Sequence, residues 1–547
     1  MDIPNLESRI PMGTRIPNSR AREGRRNFPW GTGSLLRASA AVALAAALGL
    51  AGCPPDDGGT PEPPAPAAVS NARPLNAVDP WGGGFPSDMQ IGDAESLRGT
   101  LFVTDEAAVD AAGGARVLAF DMELPGLPSS TAFGGFHLLK TDLRHTGGSG
   151  VQPADTFGSW GVEAATADLL VISPTAACLL ASASHEGDPP FLANLFWFNP
   201  MNASLPQTVN LAIPTTPPGT PVRSDGSSVG TFTQSNPTGM AWVTTGPAAG
   251  KLYVSMSNLH GAAAMNAMVY NPGTVMAFSV DLGSSPPVTV PPAAVIRPGK
   301  WNPVQVTAYT SPATGKSYAL VSNAGVTQYY GTTPSWGYSP PYQTASFTDA
   351  SVEVIDPATD AIVASIPMGL AALSFQAIAI GKDGTGRTVG MIGSSFAGQV
   401  YAMDLSGLDA DPVQTASLRP LRSAYHPIPV FHSREGDDHT WACDVALAPN
   451  GRYAFVSAFN QAEVHVLGCP SDWETGEFEA HPEPFAAPFK FQALDVGKPS
   501  VTRLIVRRGE FQGPDVLVLQ SNAELAIPGT NQKFGAIGTI DTHGRTR

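Results

Sequence analysis

The chain has 547 residues and a net charge of −15; it carries 57 Gly and 52 Pro, and only 14% of its side chains are charged. That balance excludes a coiled coil or a long helical bundle and suits many short strands joined by turns. Acidity on this scale also speaks against nucleic acid or an anionic lipid surface as a partner.

In chain order, the first feature is a targeting segment. Arg20, Arg22, Arg25 and Arg26 precede an apolar run of small residues and Leu at 38–52. Such a run falls short of the roughly 20 residues that a spanning helix needs. It closes on Leu50, Ala51, Gly52 and Cys53, which resembles the bacterial lipobox. The resemblance implies cleavage before Cys53, a lipid on that residue, and export to the cell envelope with the chain anchored to a membrane. Residues 1–52 are then a lipoprotein signal peptide, 53–75 a Pro/Gly-rich tether, and 76–547 the folded domain. Arg25, Arg26, Asn27 and Phe28 are similar to a twin-arginine signal, but Pro29 and Trp30 depart from that pattern, so both export routes stay open. The signal segment holds seven Arg and three acidic residues, which leaves 24 basic against 43 acidic residues in the mature chain.

Beyond the tether one pattern recurs. An apolar strand with small or polar exit residues is followed by an apolar strand ending in Asp or Asn. The pairs are 101–105 with 117–121, 178–182 with 195–199, 252–258 with 275–281, 318–323 with the hairpin 351–369, 389–395 with 400–404, 453–460 with 464–468, and 516–522 with 536–541. Intervals between equivalent Asp, Asn or Gly positions run from 48 to 82 residues, which reads as long loops in some units. In the hairpin, Val352, Val354 and Ile355 stop at Asp356, Pro357 to Asp360 supply the turn, and Ile362, Val363 and Ile366 are closed by Gly369. Two strands on a tight turn cannot bury their faces alone and need neighbours.

The hairpin and the stretch at 449–467, with Tyr453 to Asn460 and Val464 to Leu467, resemble the YVTN-type β-propeller repeat; elsewhere the match is degenerate. The resemblance implies an all-β fold, a β-propeller of four-stranded blades; the seven recurring units make seven the expected number of blades, with six or eight left open, and a pair of β-sandwiches is the alternative fold. The seventh unit has three strands before Arg547, so residues 73–78 are the expected donor of its fourth. Such closure would leave the ring no exposed edge.

Cys53 apart, Cys178, Cys443 and Cys469 remain. Cys443 and Cys469 fall on first and third strands of one unit, about 9–10 Å apart, beyond the reach of a disulfide. Buried thiols are expected.

Three loops should share one face: 257–270, 324–350 and 425–441. They carry Tyr329, Tyr330, Trp336, Tyr338, Tyr342 and His260, and in the third loop His426, His432, His439, Glu435, Asp437 and Asp438. Aromatic side chains in loops stack on sugar rings, peptide or another copy of the chain, or else pack on the loop itself. His432, Asp437, Asp438 and His439 are the metal candidates by residue type, although their spacing fits no standard metal signature. Residues 226–230 match G-x-S-x-G but lie in a Pro/Ser/Gly linker, not between a strand and a helix.

The expected function is a non-catalytic binding or scaffold module, anchored by lipid, with a protein, a glycan or a second copy as partner. Two alternatives are a hydrolase or lactonase-like enzyme with a divalent metal in a central channel, and a quinoprotein-like oxidoreductase. No cofactor is expected beyond the lipid on Cys53.

Overall fold

The structure is a computed structural model that describes residues 73–74, 86–91, 100–105, 116–121, 135–139, 158–166, 169–175, 194–198 and most of 207–542. Contacts divide the chain into two units, Met1–Pro63 and Pro64–Arg547, and every described residue lies in the second. No described helix is long and apolar enough to cross a membrane.

Seven sheets among the described residues repeat one antiparallel plan of four strands in chain order. The first is Pro86–Ile91, Thr100–Asp105, Arg116–Asp121 and Gly135–Leu139; the second is Gly158–Thr166, Leu169–Thr175, Asn194–Phe198 and Gln207–Asn210. The third is Pro237–Val243, Lys251–Met256, Thr274–Ser279 and Ala294–Ile296; the fourth is Pro303–Thr310, Ser317–Asn323, Ala350–Asp356 and Ala361–Gly369. The fifth runs Ala379–Lys382, Thr388–Gly393 and Gln399–Asp404, and the sixth Ala442–Leu447, Tyr453–Ala458 and Glu463–Gly468. In both, the outermost strand is broken in two: Arg419–Pro420 and Ile428–Pro429 in the fifth sheet, Glu479–Ala480 and Phe489–Lys490 in the sixth. The seventh is Pro499–Val506, Val516–Asn522 and Ala536–Ile540, completed by Arg73–Pro74. In that last pairing Arg73 faces Ile537 and Pro74 faces Ala536, so the first described strand of the domain closes its last sheet.

The first strand of each sheet lies innermost. Those of sheets one and two, two and three, three and four, five and six, and six and seven are in contact, and the seventh returns to the first. Sheets four and five are joined where the Ile378 amide donates to Thr307 Oγ at 2.9 Å. This ring of sheets is a β-propeller. A second-strand reading at 178–182 is corrected: the second strand of the second sheet is Leu169–Thr175, and 178–182 lies outside the described residues. Both stretches are short apolar runs, and pairing with Asn194–Phe198 selects between them.

Sheets stacked around a ring bury both faces of their middle strands, which show no in–out alternation, whereas the outer Ala361–Gly369 stays partly exposed. Pro237–Val243 and Ser317–Asn323 are buried along their whole lengths. Tyr318, Leu320, Val352 and Val354 of the fourth sheet pack with Ile392 and Met403 of the fifth in one apolar cluster. Polar exit residues have their own work. Asn258 Oδ1 accepts the Ser235 amide at 2.9 Å while its Nδ2 donates to the Pro272 carbonyl at 2.8 Å. At the entry to the innermost strands, Asn236 and Asn302 take the left-handed backbone (φ 55° and 57°), which Asn tolerates better than most residues.

Carboxylates tie neighbouring sheets together at the turns between third and fourth strands. Asp360 of the fourth sheet accepts Tyr253 Oη at 2.7 Å and Lys251 Nζ at 2.5 Å from the third. Asp409 of the fifth accepts Tyr309 Oη at 2.6 Å and Ser311 Oγ at 2.8 Å from the fourth, with Lys382 Nζ at 2.8 Å and Thr388 Oγ1 from its own sheet. Asp472 and Glu474 of the sixth each pair with Arg387 of the fifth at 2.9 Å.

Glu353, on the third strand of the fourth sheet, is a costlier case. It is 4% exposed, and its Oε1 accepts the Gly299 amide at 2.8 Å. Burial pushes its carboxyl above the ordinary range, so the folded chain holds a proton there more tightly than the unfolded chain does. That contribution is present below the ordinary Glu range and lost as pH rises through the raised value. Glu353→Gln keeps the acceptor and removes the charge. It is expected to gain about 1 kcal/mol at pH 7 and nothing at pH 4, checked by urea unfolding at both.

Candidate functional site

The connections between second and third strands in sheets three and four do not stay loops. Leu259–Ala262 and Ala267–Tyr270 come from the third sheet, Val326–Tyr330 and Thr344–Phe347 from the fourth, and together they form an additional four-stranded sheet in that order. His260 pairs with Val269, Met268 with Tyr329 and Ala267 with Tyr330. Each hairpin alone is too short to persist in water, so pairing across two neighbouring sheets supplies what neither has.

A turn at 223–228 pins this sheet. The Ser224 amide donates to the Tyr270 carbonyl at 2.9 Å, the Tyr270 amide returns to Ser224 Oγ at 2.8 Å, and Ser224 Oγ donates to the Thr327 carbonyl. Ser227 points back into the turn, where its amide and Oγ reach Asp225 Oδ1 at 2.9 and 2.7 Å. The G-x-S-x-G match is therefore part of a brace and holds no strand-to-helix elbow.

Of the expected face, His260, Tyr329 and Tyr330 sit on strands of this sheet, while Trp336, Tyr338 and Tyr342 lie outside the described residues. In the third loop His432 is exposed, and Asp437, Asp438 and His439 lie outside the described residues, as does Cys53. Trp441, at the end of that loop, is 9% exposed and stacks on Phe459 with ring centroids 4.2 Å apart, so it is core. Among the described residues no group of three or more His, Cys, Asp or Glu is placed to hold a metal. Cys443 and Cys469 are unbridged, and Cys443 is buried.

A second cluster lies where the innermost strands meet. Arg503 of the seventh sheet reaches Asp88 of the first, Nε to Oδ1 2.9 Å, and Asp444 of the sixth, Nη1 to Oδ1 3.3 Å. Its Nη1 also donates to Gln376 Oε1 at 3.2 Å. Asp444 accepts the Val445 amide at Oδ1, 2.9 Å, and the Leu504 amide at Oδ2, 2.7 Å; Asp88 Oδ1 accepts the Met89 amide at 2.9 Å. Both carboxylates sit at bulges, where the strand pairing shifts between Pro86 and Asp88 and between Ala442 and Val445. A bulge re-aims one side chain and leaves an amide unpaired by the ladder, and here the carboxylate satisfies it. Burial lifts the Asp444 carboxyl to about 6, with Arg503 and the two amides pulling the other way. The cluster is a latch between the first, sixth and seventh sheets, its carboxylate oxygens committed to backbone and guanidinium. It was missed in the sequence; its one signal is a charged residue at the head of an apolar run, Asp88 before Met89, Asp444 before Val445, Arg503 before Leu504.

No family model and no curated protein matches the chain. Among solved structures it is similar to a putative 6-phosphogluconolactonase from Bacteroides fragilis, at 11% identity over 84% of this chain and 96% of that one, TM-score 0.39. It is also similar to the Myceliophteria thermophila Cps50 (Swd1) β-propeller domain, at 9% identity over 73% and 88%, TM-score 0.34. A third is Kuenenia stuttgartiensis hydrazine synthase, at 12% identity over 72% and 78%, TM-score 0.36. Likeness at this level transfers no activity, ligand or partner.

Proposed function

We propose that this chain is a lipid-anchored envelope propeller with seven blades of the YVTN-type repeat, and that it binds a partner through the face carrying the additional sheet. The observation behind this reading is the pairing of Leu259–Ala262, Ala267–Tyr270, Val326–Tyr330 and Thr344–Phe347. Short turns suffice to join strands. Two neighbouring sheets that spend residues on a joint sheet ask for another reason, and the sequence of these connections is rich in aromatic residues, Tyr329 and Tyr330 among them. A protein, an envelope glycan or a second copy would each suit aromatic anchors.

The reading is tested with the chain from residue 54 onward, by sedimentation velocity for self-association and by an array of envelope glycans and periplasmic proteins. Trp336→Ala with Tyr338→Ala is expected to fold normally and to weaken binding by about 2 kcal/mol or more per buried anchor. A variant that unfolds would make these rings local core and sink the reading. In cells, Cys53→Ala is expected to abolish fatty-acid labelling and membrane retention; retention with label intact would refute the anchor.

A second reading, an enzyme in the channel with or without a metal, draws on one observation, the Asp444 carboxyl lifted to about 6. Against it stands the commitment of both Asp444 oxygens to Val445, Leu504 and Arg503.

A further inference from the structure

The broken outer strands of sheets five and six follow one register with different chemistry. In the fifth sheet Gln399 and Val400 pair with Pro429 and Ile428, and Met403 and Asp404 with Pro420 and Arg419. In the sixth, Glu463 and Val464 pair with Lys490 and Phe489, and Leu467 and Gly468 with Ala480 and Glu479. The residues that face the break are thus Tyr401 in one sheet and His465 in the other. Just past the first half-strand, the Leu421 amide donates to the Ala402 carbonyl and the His481 amide to the Val466 carbonyl, both at 2.9 Å. In the fifth sheet Gln399 Nε2 donates to Tyr401 Oη at 2.8 Å, a pair that carries no charge near neutral pH.

In the sixth sheet the corresponding groups are a carboxylate and two imidazoles. Glu463 Oε2 lies 3.4 Å from His465 Nε2, and His465 Nδ1 lies 3.2 Å from His481 Nε2. Glu463 and His465 are 6% and 5% exposed. Lys490 Nζ faces Glu463 Oε1 at 3.5 Å from the second half-strand, and the Phe431 ring of the neighbouring sheet stacks on His465 at 4.3 Å, its chain neighbour His432 exposed. Two imidazole nitrogens at that distance hold together only while one donates and the other accepts. When both rings are charged, two N–H groups face each other.

We propose that Glu463, His465 and His481 form a pH-sensitive clamp that holds the segment 481–489 on the sixth sheet at neutral pH and lets it go in acid. The segment has something to release. Its Phe485 and Phe489, 2% and 4% exposed, pack with Val501, Leu504 and Val516 of the seventh sheet. Burial, with His465 adding to it, holds His481 below the ordinary imidazole range, so opening falls below neutral pH.

Amide hydrogen exchange on the mature chain tests this. Corrected for intrinsic rates, exchange of the His481 and Phe485 amides should rise about tenfold or more between pH 7.5 and pH 5.0, while the Leu421 amide, at the break faced by Tyr401 and Gln399, stays constant. His481 takes the left-handed backbone (φ 56°), which Asn tolerates, so His481→Asn should exchange alike at the two pH values. Glu463→Gln removes the carboxylate that favours a charged His481 and should move the midpoint to lower pH. Equal exchange at both pH values in the wild type, a parallel rise at Leu421, a response that survives His481→Asn, or a midpoint unmoved or raised by Glu463→Gln each overturns the clamp.

Discussion

Replacing Arg503 with leucine is expected to cost the folded domain about 3–5 kcal/mol, because it strands two buried carboxylates without their cation. Asp88 and Asp444 are 6% and 1% exposed, and both reach Arg503 from other sheets. The loss should depend on pH. The Asp444 carboxyl is lifted to about 6 by burial, so between the unfolded value and 6 the folded chain binds more protons than the unfolded chain. Its contribution is complete below the unfolded value, near pH 4, and fades as pH rises through 6, on the order of 3 kcal/mol in all. Arg503→Leu should therefore be milder at pH 5 than at pH 8. Arg503→Leu combined with Asp88→Asn and Asp444→Asn should recover much of the stability. Denaturant midpoints for the wild type and the two variants at both pH values decide it. A loss that is the same at pH 5 and 8 would mean that packing of the Arg503 stem, not its charge, is what the latch uses.

Asp409→Ala is expected to cost about 2–4 kcal/mol, since it leaves Tyr309, Ser311 and Thr388 hydroxyls and the Lys382 ammonium without their common acceptor. Here the pH dependence has the opposite sign. Burial works against the Asp409 charge, but donors led by Lys382, then Thr388, Tyr309 and Ser311, outweigh it and hold the carboxyl at about 2. The stabilisation is present above the unfolded value and is lost as pH falls through 2, about 2 kcal/mol across that window. The difference between wild type and Asp409→Ala should accordingly be constant from pH 8 to 5 and shrink below pH 4. A difference that holds at pH 2.5 would exclude the charge as its origin.

The legible part of this fold was the middle of each sheet. Second and third strands such as Ser317–Asn323 and Ala350–Asp356 are apolar runs of six or seven residues with polar exits, and that contrast survives in the sequence. Of the outer strands, Ala361–Gly369 and Arg73–Pro74 were legible, but those of the fifth and sixth sheets did not show, because Arg419–Pro420 and Glu479–Ala480 are two residues long and take their register from a neighbour. The additional sheet was read as loops for a related reason. Leu259–Ala262 has four residues and a glycine, so nothing local distinguishes it from a turn until Val326–Tyr330 pairs beside its hairpin. The latch left only single charged residues at the heads of its runs, with nothing to say that they meet. Asp88, Gln376, Asp444 and Arg503 are scattered from position 88 to position 503 and meet only when the ring closes. Chemistry assembled by topology leaves no spacing to read.

The two-residue pairing of Arg73 and Pro74 on the edge of the seventh sheet has a mechanical side. Any tension that travels along the chain from its N-terminal side enters the propeller through this strand, and a ladder of two residues is the weakest link it can meet. The inner strand of the same sheet, which carries Arg503, is separated from that outer strand by Val516–Asn522 and Ala536–Ile540. A pull would peel the outer strand first and pass next to Pro86–Ile91, the following described strand, whose Asp88 pairs with Arg503. Between those two steps the ring would stay closed with one blade short of a strand, and the strand could re-dock when the load is removed.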